Sequence, residues 1–311
     1  MCPKLAKVCV SMVANHRIIL FGGNSQIGRA LQHQQIPADW QLKAVTRAEC
    51  DFMRPGDIGK IMRDFSPDLV INAAAMTDID ACEQDRAKAT EVNFHAVANI
   101  AGQCDTVNAP LIQISTDYVF DGKDGERAYM PDDAMNPINV YGQTKMMGEE
   151  AARHGLYWHV IMRTSLVFSE FGQNVLTKTL RQIDTQDEIQ AVTDQKGNPT
   201  SAEAVTEALI IMGDAILKGK GNGFGTFHIC GEPAVTRFEF LQAIMEAYAP
   251  FTSRRPKLVS VANADLPTRV PRPPCSILNN DKARDVYGIQ PRLWHDDLAK
   301  AVKQYVEKGP T

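Results

Sequence analysis

The stretch Ile18-Ile19-Leu20-Phe21-Gly22-Gly23-Asn24-Ser25-Gln26-Ile27-Gly28 decides the fold, because four apolar residues run into a glycine turn and an amphipathic segment. An unbroken apolar run is typical of a strand that is buried on both faces, as in a parallel sheet. The same alternation of apolar runs and amphipathic segments continues along the first half of the chain. The predicted strands are Ile18–Phe21, Leu42–Val45, Leu69–Ile71, Leu111–Ser115 and Trp158–Val167. The sequence therefore predicts an α/β protein with a doubly wound parallel sheet of the Rossmann type.

The glycine turn lies where such folds bind a dinucleotide pyrophosphate against a helix N-terminus. Gly22 would make the tight turn and Gly28 would allow close helix packing, whereas Ser25 stands where a middle glycine is expected. A glycine pair in an ordinary strand-turn-helix connection is the alternative interpretation. The candidate cofactor-binding residues of this turn are Gly22, Asn24, Ser25, Gln26, Ile27 and Gly28.

Beyond Phe168 the alternation loosens, and we expect a smaller mixed α/β lobe that binds the substrate. The predicted organisation is an N-terminal extension over 1–16, a dinucleotide-binding domain over 17–168 and a substrate-binding lobe over 169–311. Within the predicted lobe, segments near 200–232 are candidates for packing against the dinucleotide-binding domain instead.

Composition excludes several classes of protein. The chain has 311 residues and a formal charge of −4, without long basic or acidic blocks, which argues against binding to nucleic acid or to an anionic membrane. Its seven cysteines form no C-x-x-C pair and no cluster with histidine, which argues against zinc and against a disulfide framework. We therefore expect a reducing, cytoplasmic location.

The N-terminal segment 1–16 has the outline of a very short signal peptide, with two lysines before an apolar run. The run is too short to span a bilayer, and no clean cleavage site follows it. A disordered leader, or a start at Met12, is the preferred interpretation. Elsewhere no stretch approaches eighteen consecutive apolar residues, so a transmembrane helix is not expected.

Further candidates for cofactor binding follow the second and third predicted strands. Arg47 can take a ribose 2′-phosphate, which points to NADPH with NADH as the alternative, although an exposed surface arginine is the plainer interpretation. Asp51 and Phe52 would face the adenine. The small residues Ala73, Ala74 and Ala75 would let a loop lie close over a flat ligand, although helix packing explains alanines equally well.

Tyr141 and Lys145 carry the predicted chemistry. Residues four apart lie on one face of a helix, so the phenol and the ammonium are expected side by side. A neighbouring cation would lower the Tyr141 pKa and allow proton transfer to a carbonyl. Asn136-Pro137 is interpreted as the cap and first turn of this helix. Thr116, at the carboxyl end of a central strand, would hydrogen-bond the substrate carbonyl, or else only its own turn.

Together these features resemble the extended short-chain dehydrogenase/reductases, and within them the dTDP-4-dehydrorhamnose reductases. The resemblance covers Arg17 to about Val306. Its specific marks are Asn72-Ala-Ala-Ala-Met-Thr-Asp-Ile-Asp-Ala-Cys-Glu83, Ser115 to Gly122, Asn139-Val-Tyr-Gly-Gln-Thr-Lys-Met-Met-Gly-Glu149, Arg163-Thr-Ser, Asp194-Gln-Lys-Gly-Asn-Pro-Thr200, and Arg272-Pro with Ser276.

The resemblance implies a reduction of the C4 keto group of dTDP-4-dehydro-L-rhamnose. Thr116 would orient the carbonyl, Tyr141 would donate the proton, and Lys145 would lower the Tyr141 pKa and hold the nicotinamide ribose. Backbone after Arg163 would contact the carboxamide of NADPH, and Arg272 would lie near the nucleotide phosphates. The substrate-binding residues implied are Thr77, Ser115, Thr116, Asp117, Tyr118, Tyr141, Leu166, Asn174 and Arg272.

Two positions depart from the family pattern, Ser25 in place of glycine and Leu166 in place of an aromatic residue. Cofactor affinity and sugar identity are therefore less firmly implied than the reaction. A dehydratase would need a second carboxylate after Thr116, where this chain has Asp117-Tyr118. An epimerase shares the Thr, Tyr and Lys, and a non-catalytic NADP-binding regulatory subunit is a third alternative.

The sequence leaves two questions open. The protein is expected to be a monomer or a homodimer. A Mg²⁺ ion is a candidate partner, but no carboxylate cluster has a dedicated ligand spacing.

Overall fold

The computed structural model describes residues 16–125, 127–219, 223–265 and 270–309. The predicted extension therefore lies outside the described residues, except for His16, which begins the first strand. Among the described residues, no helix is both long and apolar enough to cross a membrane.

Six parallel strands form the central sheet. In spatial order they are β10 (Gly225–His228), β5 (His159–Thr164), β4 (Leu111–Thr116), β3 (Leu69–Asn72), β1 (His16–Phe21) and β2 (Trp40–Val45). The sequence order reverses between β1 and β3, as in doubly wound sheets, where ligands bind outside the carboxyl ends of the strands. The predicted fold class is confirmed.

The helices that flank the sheet have amphipathic faces that cover its two apolar surfaces. They are α1 (Gln26–His33), α2 (Pro55–Phe65), α5 (Ala96–Val107), α6 (Val140–Gly155) and α8 (Ala202–Leu217). The short helices α3 (Ile79–Gln84) and α4 (Arg86–Thr90) pack against α6 instead, and a π-helical turn at Glu91–His95 joins α4 to α5. Helices α1 and α8 pack on one face, and α2, α5 and α6 pack on the other. Each fully buried Ile or Leu contributes about 1.5–3 kcal/mol to this packing.

A separate hydrophobic cluster holds the second lobe together around Phe168, Phe240 and Trp294. The elements of this lobe are β6 (Val167–Phe168), α7 (Val175–Thr185), β7 (Glu188–Val192), β8 (Lys196–Gly197), β9 (Thr200–Ser201), β11 (Val235–Thr236), α9 (Arg237–Tyr248), β12 (Lys257–Val261) and α11 (Trp294–Lys308). Strand β9 also contacts helix α8. Helix α10 (Asp281–Tyr287) packs instead against α8 and β10, and its buried Ala283 belongs to the core of the central sheet. The division at Phe168 stays a prediction.

Two predicted boundaries differ from the structure. Helix α6 begins at Val140, and its N-cap is Asn139, whose side chain accepts from Gly142 N at 2.8 Å, so the predicted cap at Asn136 is wrong. The strand predicted over Trp158–Val167 is interrupted after Thr164. Leu166 there adopts a φ of 44°, a left-handed conformation that breaks a strand.

Candidate active site

Two adjoining cavities lie at the carboxyl edge of the sheet, with volumes of about 400 and 330 Å³. Both are lined by Ala74 and Ala75, so together they form one path across the ends of β1, β3 and β4. The first also contains the glycine turn and the end of β2. The second contains Tyr141, Lys145 and Thr116, so the structure brings the predicted cofactor turn and the predicted catalytic residues together.

The two glycines of the turn allow close packing of its backbone. Gly22 has a φ of 85°, and a Cβ atom there would lie 2.6 Å from the backbone nitrogen of Ala74. A Cβ atom on Gly28 would lie 2.1 Å from the carbonyl oxygen of Gly22. Only glycine fits either position, so the turn holds the N-terminus of α1 close to the ends of β1 and β3, where a dinucleotide pyrophosphate would bind.

Ser25 is the N-cap of α1. Its hydroxyl accepts a hydrogen bond from Gly28 N at 2.9 Å, which satisfies one of the first-turn N–H groups of the helix. The N–H groups of Gln26 and Ile27 belong to the same turn and have no acceptor within the helix. Both residues line the second cavity, so the turn can still bind an anion despite the missing middle glycine.

The outer end of the first cavity carries the predicted adenosine site. Asn24, Arg47, Asp51 and Phe52 all line it, and Lys88 of α4 adds a second cation that was not predicted. The Arg47 side chain is 71% exposed, and its Nε lies 3.9 Å from the Asp51 carboxylate. The guanidinium is therefore largely available to a phosphate group.

Tyr141 and Lys145 both line the second cavity, where Lys145 is buried and Tyr141 is half-buried. Burial raises the pKa of Tyr141 above its usual value, and a hydrogen bond with the Thr116 hydroxyl partly offsets this effect. Burial lowers the pKa of Lys145 to about 8, against the opposing effect of Glu149. The predicted lowering of the Tyr141 pKa by Lys145 is not found here. The phenol is thus protonated at neutral pH, the state that a proton donor requires.

Thr116 ends β4 and lies beside Tyr141. Its hydroxyl donates to the Asp117 carboxylate at 3.0 Å and accepts from Tyr118 N at 3.2 Å. Asp117 is buried; burial raises its pKa, and hydrogen bonds from Ser276, Ser165 and Thr116 lower it. A hydroxyl and a carboxyl group therefore stand together at the catalytic end of the strand.

Three predicted residues point away from the cavity or are already bonded. Ser115 lines the second cavity, but its hydroxyl already donates to Glu149 at 2.6 Å. The Arg163 side chain lies in a buried ion pair with the same carboxylate at 2.7 Å, which leaves only the following backbone for a cofactor. Tyr118 packs edge-on against Tyr141, with ring centroids 5.8 Å apart, and is not among the residues that line either cavity.

The remaining predicted substrate residues fall into two groups. Thr77, Leu166 and Asn174 line the second cavity, as does Asp117, although the Asn174 side chain also caps α7 by accepting from Leu176 N at 2.9 Å. Arg272 lies outside both cavity linings and forms an ion pair with Asp80 at 3.4 Å.

The second cavity has six lining residues that were not predicted as site residues, and two of them, Thr164 and Arg237, carry polar groups of particular interest. Thr164 is paired in register with Thr116, and its buried hydroxyl has no hydrogen-bond partner in the described part of the chain. Its place at the end of a central strand was a usable signal. Arg237 is the first residue of α9, and the capping box formed by Thr236 and Glu239 predicts that helix start. Nothing in the sequence places this turn against the catalytic cavity.

Metal binding has no support in the described ranges. No group of three or more His, Cys, Asp or Glu side chains there is arranged to hold a metal ion. The Mg²⁺ ion considered above is therefore not assigned a site.

Comparison with known proteins identifies the family of the chain. Residues 16–307 match the family model described as the RmlD substrate binding domain. The chain is 33% identical over 294 residues to a dTDP-4-dehydrorhamnose reductase of Sinorhizobium fredii, covering 94% of this chain and 99% of the relative. It is 31% identical over 294 residues to the Escherichia coli protein of the same name, covering 92% of this chain and 97% of the relative.

A solved structure shows the same fold with a cofactor. The Bacillus anthracis dTDP-4-dehydrorhamnose reductase, crystallised in complex with NADP, superposes with a TM-score of 0.84 at 27% identity. The alignment covers 93% of this chain and 99% of that one. Because the family model and these relatives span nearly the whole chain, the protein belongs to the dTDP-4-dehydrorhamnose reductase family.

Proposed function

We propose that the protein reduces the C4 keto group of dTDP-4-dehydro-L-rhamnose to a hydroxyl, forming dTDP-L-rhamnose at the expense of NADPH. The observation that carries the proposal is the convergence of Thr116, Tyr141 and Lys145 in a cavity that adjoins the glycine turn. The names of the relatives support the same reaction.

The two adjoining cavities fit a dinucleotide. The pyrophosphate would lie on the bare backbone between Gly22 and Gly28, and Arg47 would bind the 2′-phosphate of NADPH. Lys145 would hold the ribose hydroxyls next to the nicotinamide, and the backbone after Arg163 would contact the carboxamide. When bound, the reduced nicotinamide supplies the hydride.

The side chains of this chain supply the proton and hold the ketone. Tyr141 keeps its proton because of its burial and donates it to O4 as negative charge develops there. The Lys145 ammonium adds positive charge to the cavity in which the phenolate would form. Thr116 sets the position of the carbonyl relative to Tyr141.

The nucleotide-sugar contacts are proposed as follows. Thr77, Asn174 and Leu166 would lie along the sugar, where Leu166 offers apolar contact without the ring that the family pattern contains. Arg237 of the second lobe adds a cation for the diphosphate of the substrate. Arg272 would act from outside the cavity lining, beside the nucleotide phosphates.

The alternatives predict different behaviour with the same compounds. An epimerase would return the 4-keto sugar with an altered stereocentre and without net NADPH consumption. A regulatory subunit would bind NADP without turnover. We propose a cytoplasmic monomer or homodimer, and sedimentation of the purified protein decides between the two.

The direct test is NADPH oxidation with dTDP-4-dehydro-6-deoxy-L-mannose, with the product identified by proton NMR. We expect stoichiometric formation of dTDP-L-rhamnose. NADPH binding without oxidation in the presence of this sugar would contradict the proposal.

A further inference from the structure

One buried carboxylate collects three hydroxyl groups from three separate parts of the chain. Asp117 is 4% exposed. Its Oδ1 accepts from Thr116 Oγ1 at 3.0 Å, and its Oδ2 accepts from Ser165 Oγ at 2.8 Å and Ser276 Oγ at 2.5 Å. Thr116 ends β4 and Ser165 follows β5, whereas Ser276 is more than a hundred residues further along the chain.

The segment that carries Ser276 is anchored on both sides of the carboxylate. The Asn139 side chain, which caps α6, donates to the Pro271 carbonyl oxygen at 2.9 Å. Ser276 N donates to the Lys196 carbonyl oxygen at 2.9 Å, and Leu278 N donates to the Asn198 side chain at 3.0 Å. The backbone hydrogen bonds on both sides of Ser276 therefore hold its hydroxyl next to Asp117.

This arrangement fixes the position of the Thr116 hydroxyl. The hydroxyl is hydrogen-bonded to the Asp117 carboxyl group and accepts from Tyr118 N, and its oxygen also lies within hydrogen-bonding reach of Tyr141. A hydroxyl has one donor and two acceptor sites, so these partners together set where the oxygen lies beside Tyr141. Without Asp117 the Thr116 side chain would lose one of these partners.

We propose that Asp117 is a positioning residue that fixes the position of the Thr116 hydroxyl next to Tyr141, and that Ser165 and Ser276 hold its carboxyl group in place for this. The inference rests on the proposed function, because it assigns Thr116 and Tyr141 to one substrate oxygen. In this role Asp117 acts through Thr116.

The test is a double-mutant cycle with Asp117→Asn and Thr116→Val. Both substitutions keep the shape of the side chain. In the wild-type background Asp117→Asn should lower kcat by about tenfold, with KM for NADPH and for the sugar changed by less than about twofold. In the Thr116→Val background the same change should lower kcat by less than about twofold. Fully multiplicative losses, or a raised sugar KM with an unchanged kcat, would overturn the inference.

A milder variant guards against misfolding of the Asp117 variant. Ser276→Ala leaves the carboxylate in place and removes one of the bonds that hold it, so kcat should fall about threefold, and only when Thr116 is present. Ser201→Ala is the matched control, because the Ser201 hydroxyl also donates to a buried carboxylate, that of Asp297, in another part of the chain. We expect its kcat to equal that of the wild type. Equal losses in the Ser276 and Ser201 variants would mean that the role is only structural.

Failure of this inference differs from failure of the proposed function. A wild-type protein that does not turn over the 4-keto sugar contradicts the function. The cycle is then measured as the free energy of unfolding in urea, where the Thr116 and Asp117 substitutions should be coupled. Additive effects on unfolding would show that the hydrogen bond has no energetic role, and the inference would be wrong.

Discussion

The Nζ atom of Lys145 donates a hydrogen bond of 2.6 Å to the carbonyl oxygen of Ile114, which fixes the ammonium at the end of β4. Lys145 is 4% exposed, and its pKa falls to about 8 because burial disfavours the charged form. The lysine is thus held by backbone of the same strand that carries Thr116. The charge of the Lys145 ammonium therefore changes with pH near 8.

The first prediction concerns pH. The ammonium is present below its pKa and is lost as the pH rises through about 8. NADPH affinity and kcat should therefore fall above that pH, and in Lys145→Met both should be low and flat across the same range. Stopped-flow binding and turnover measured between neutral and alkaline pH test this. Identical alkaline profiles for the wild type and Lys145→Met would remove Lys145 from the proton and ribose roles.

The second prediction concerns cofactor choice. Arg47→Ala should weaken NADPH binding by about tenfold or more and leave NADH binding nearly unchanged, since charge-assisted bonds to phosphate contribute about 1.5–3 kcal/mol. Titration by fluorescence measures both dissociation constants. Arg54→Ala is the matched control, because Arg54 is also exposed and its ion pair with Asp57 lies outside the cavity lining. Equal affinity of the wild type for NADPH and NADH would contradict this prediction.

The third prediction concerns the turn. Ser25→Gly restores the glycine of the family pattern but removes the cap on Gly28 N, which costs only a few tenths of a kcal/mol. Cofactor affinity should change by less than about tenfold, or 1.4 kcal/mol, in either direction. A much larger gain in affinity would mean that the serine impairs the pyrophosphate site.

Local patterns in the sequence were enough to predict the fold and most of the cavity. Apolar strand runs and the glycine turn depend on neighbouring residues only, so Gly22, Gly28 and the end of β4 lie where expected. The start of α6 was misplaced because Asn136 and Asn139 are both plausible caps, and only the Asn139 side chain reaches Gly142 N. Local signals of this kind locate an element to within a few residues.

The contacts that sequence reasoning could not predict depend on packing between segments that are distant in the chain. Ser115 and Thr116 both end β4 and both line the second cavity, but alternate side chains of a strand face opposite ways. The Ser115 hydroxyl therefore bonds Glu149, whereas the Thr116 hydroxyl lies beside Tyr141. Arg237 and Ser276 reach the site from distant segments, and no spacing in the chain predicts such contacts. The desolvation that raises the Tyr141 pKa is likewise a property of the folded cavity.

The central claim is that Tyr141 donates the proton to O4. Tyr141→Phe keeps the ring that packs against Tyr118 and removes the hydroxyl. General acid catalysis is typically worth about 10²- to 10⁴-fold, so the rate of sugar reduction should fall by about that factor while the dissociation constant for NADPH stays near that of the wild type.

The most direct measurement is a single-turnover comparison of wild type and Tyr141→Phe, with NADPH saturating and dTDP-4-dehydro-6-deoxy-L-mannose as substrate. We predict that the wild type oxidises NADPH and forms dTDP-L-rhamnose, and that Tyr141→Phe does so at least about 10²-fold more slowly. Reduction of the sugar by Tyr141→Phe at the wild-type rate would contradict the account.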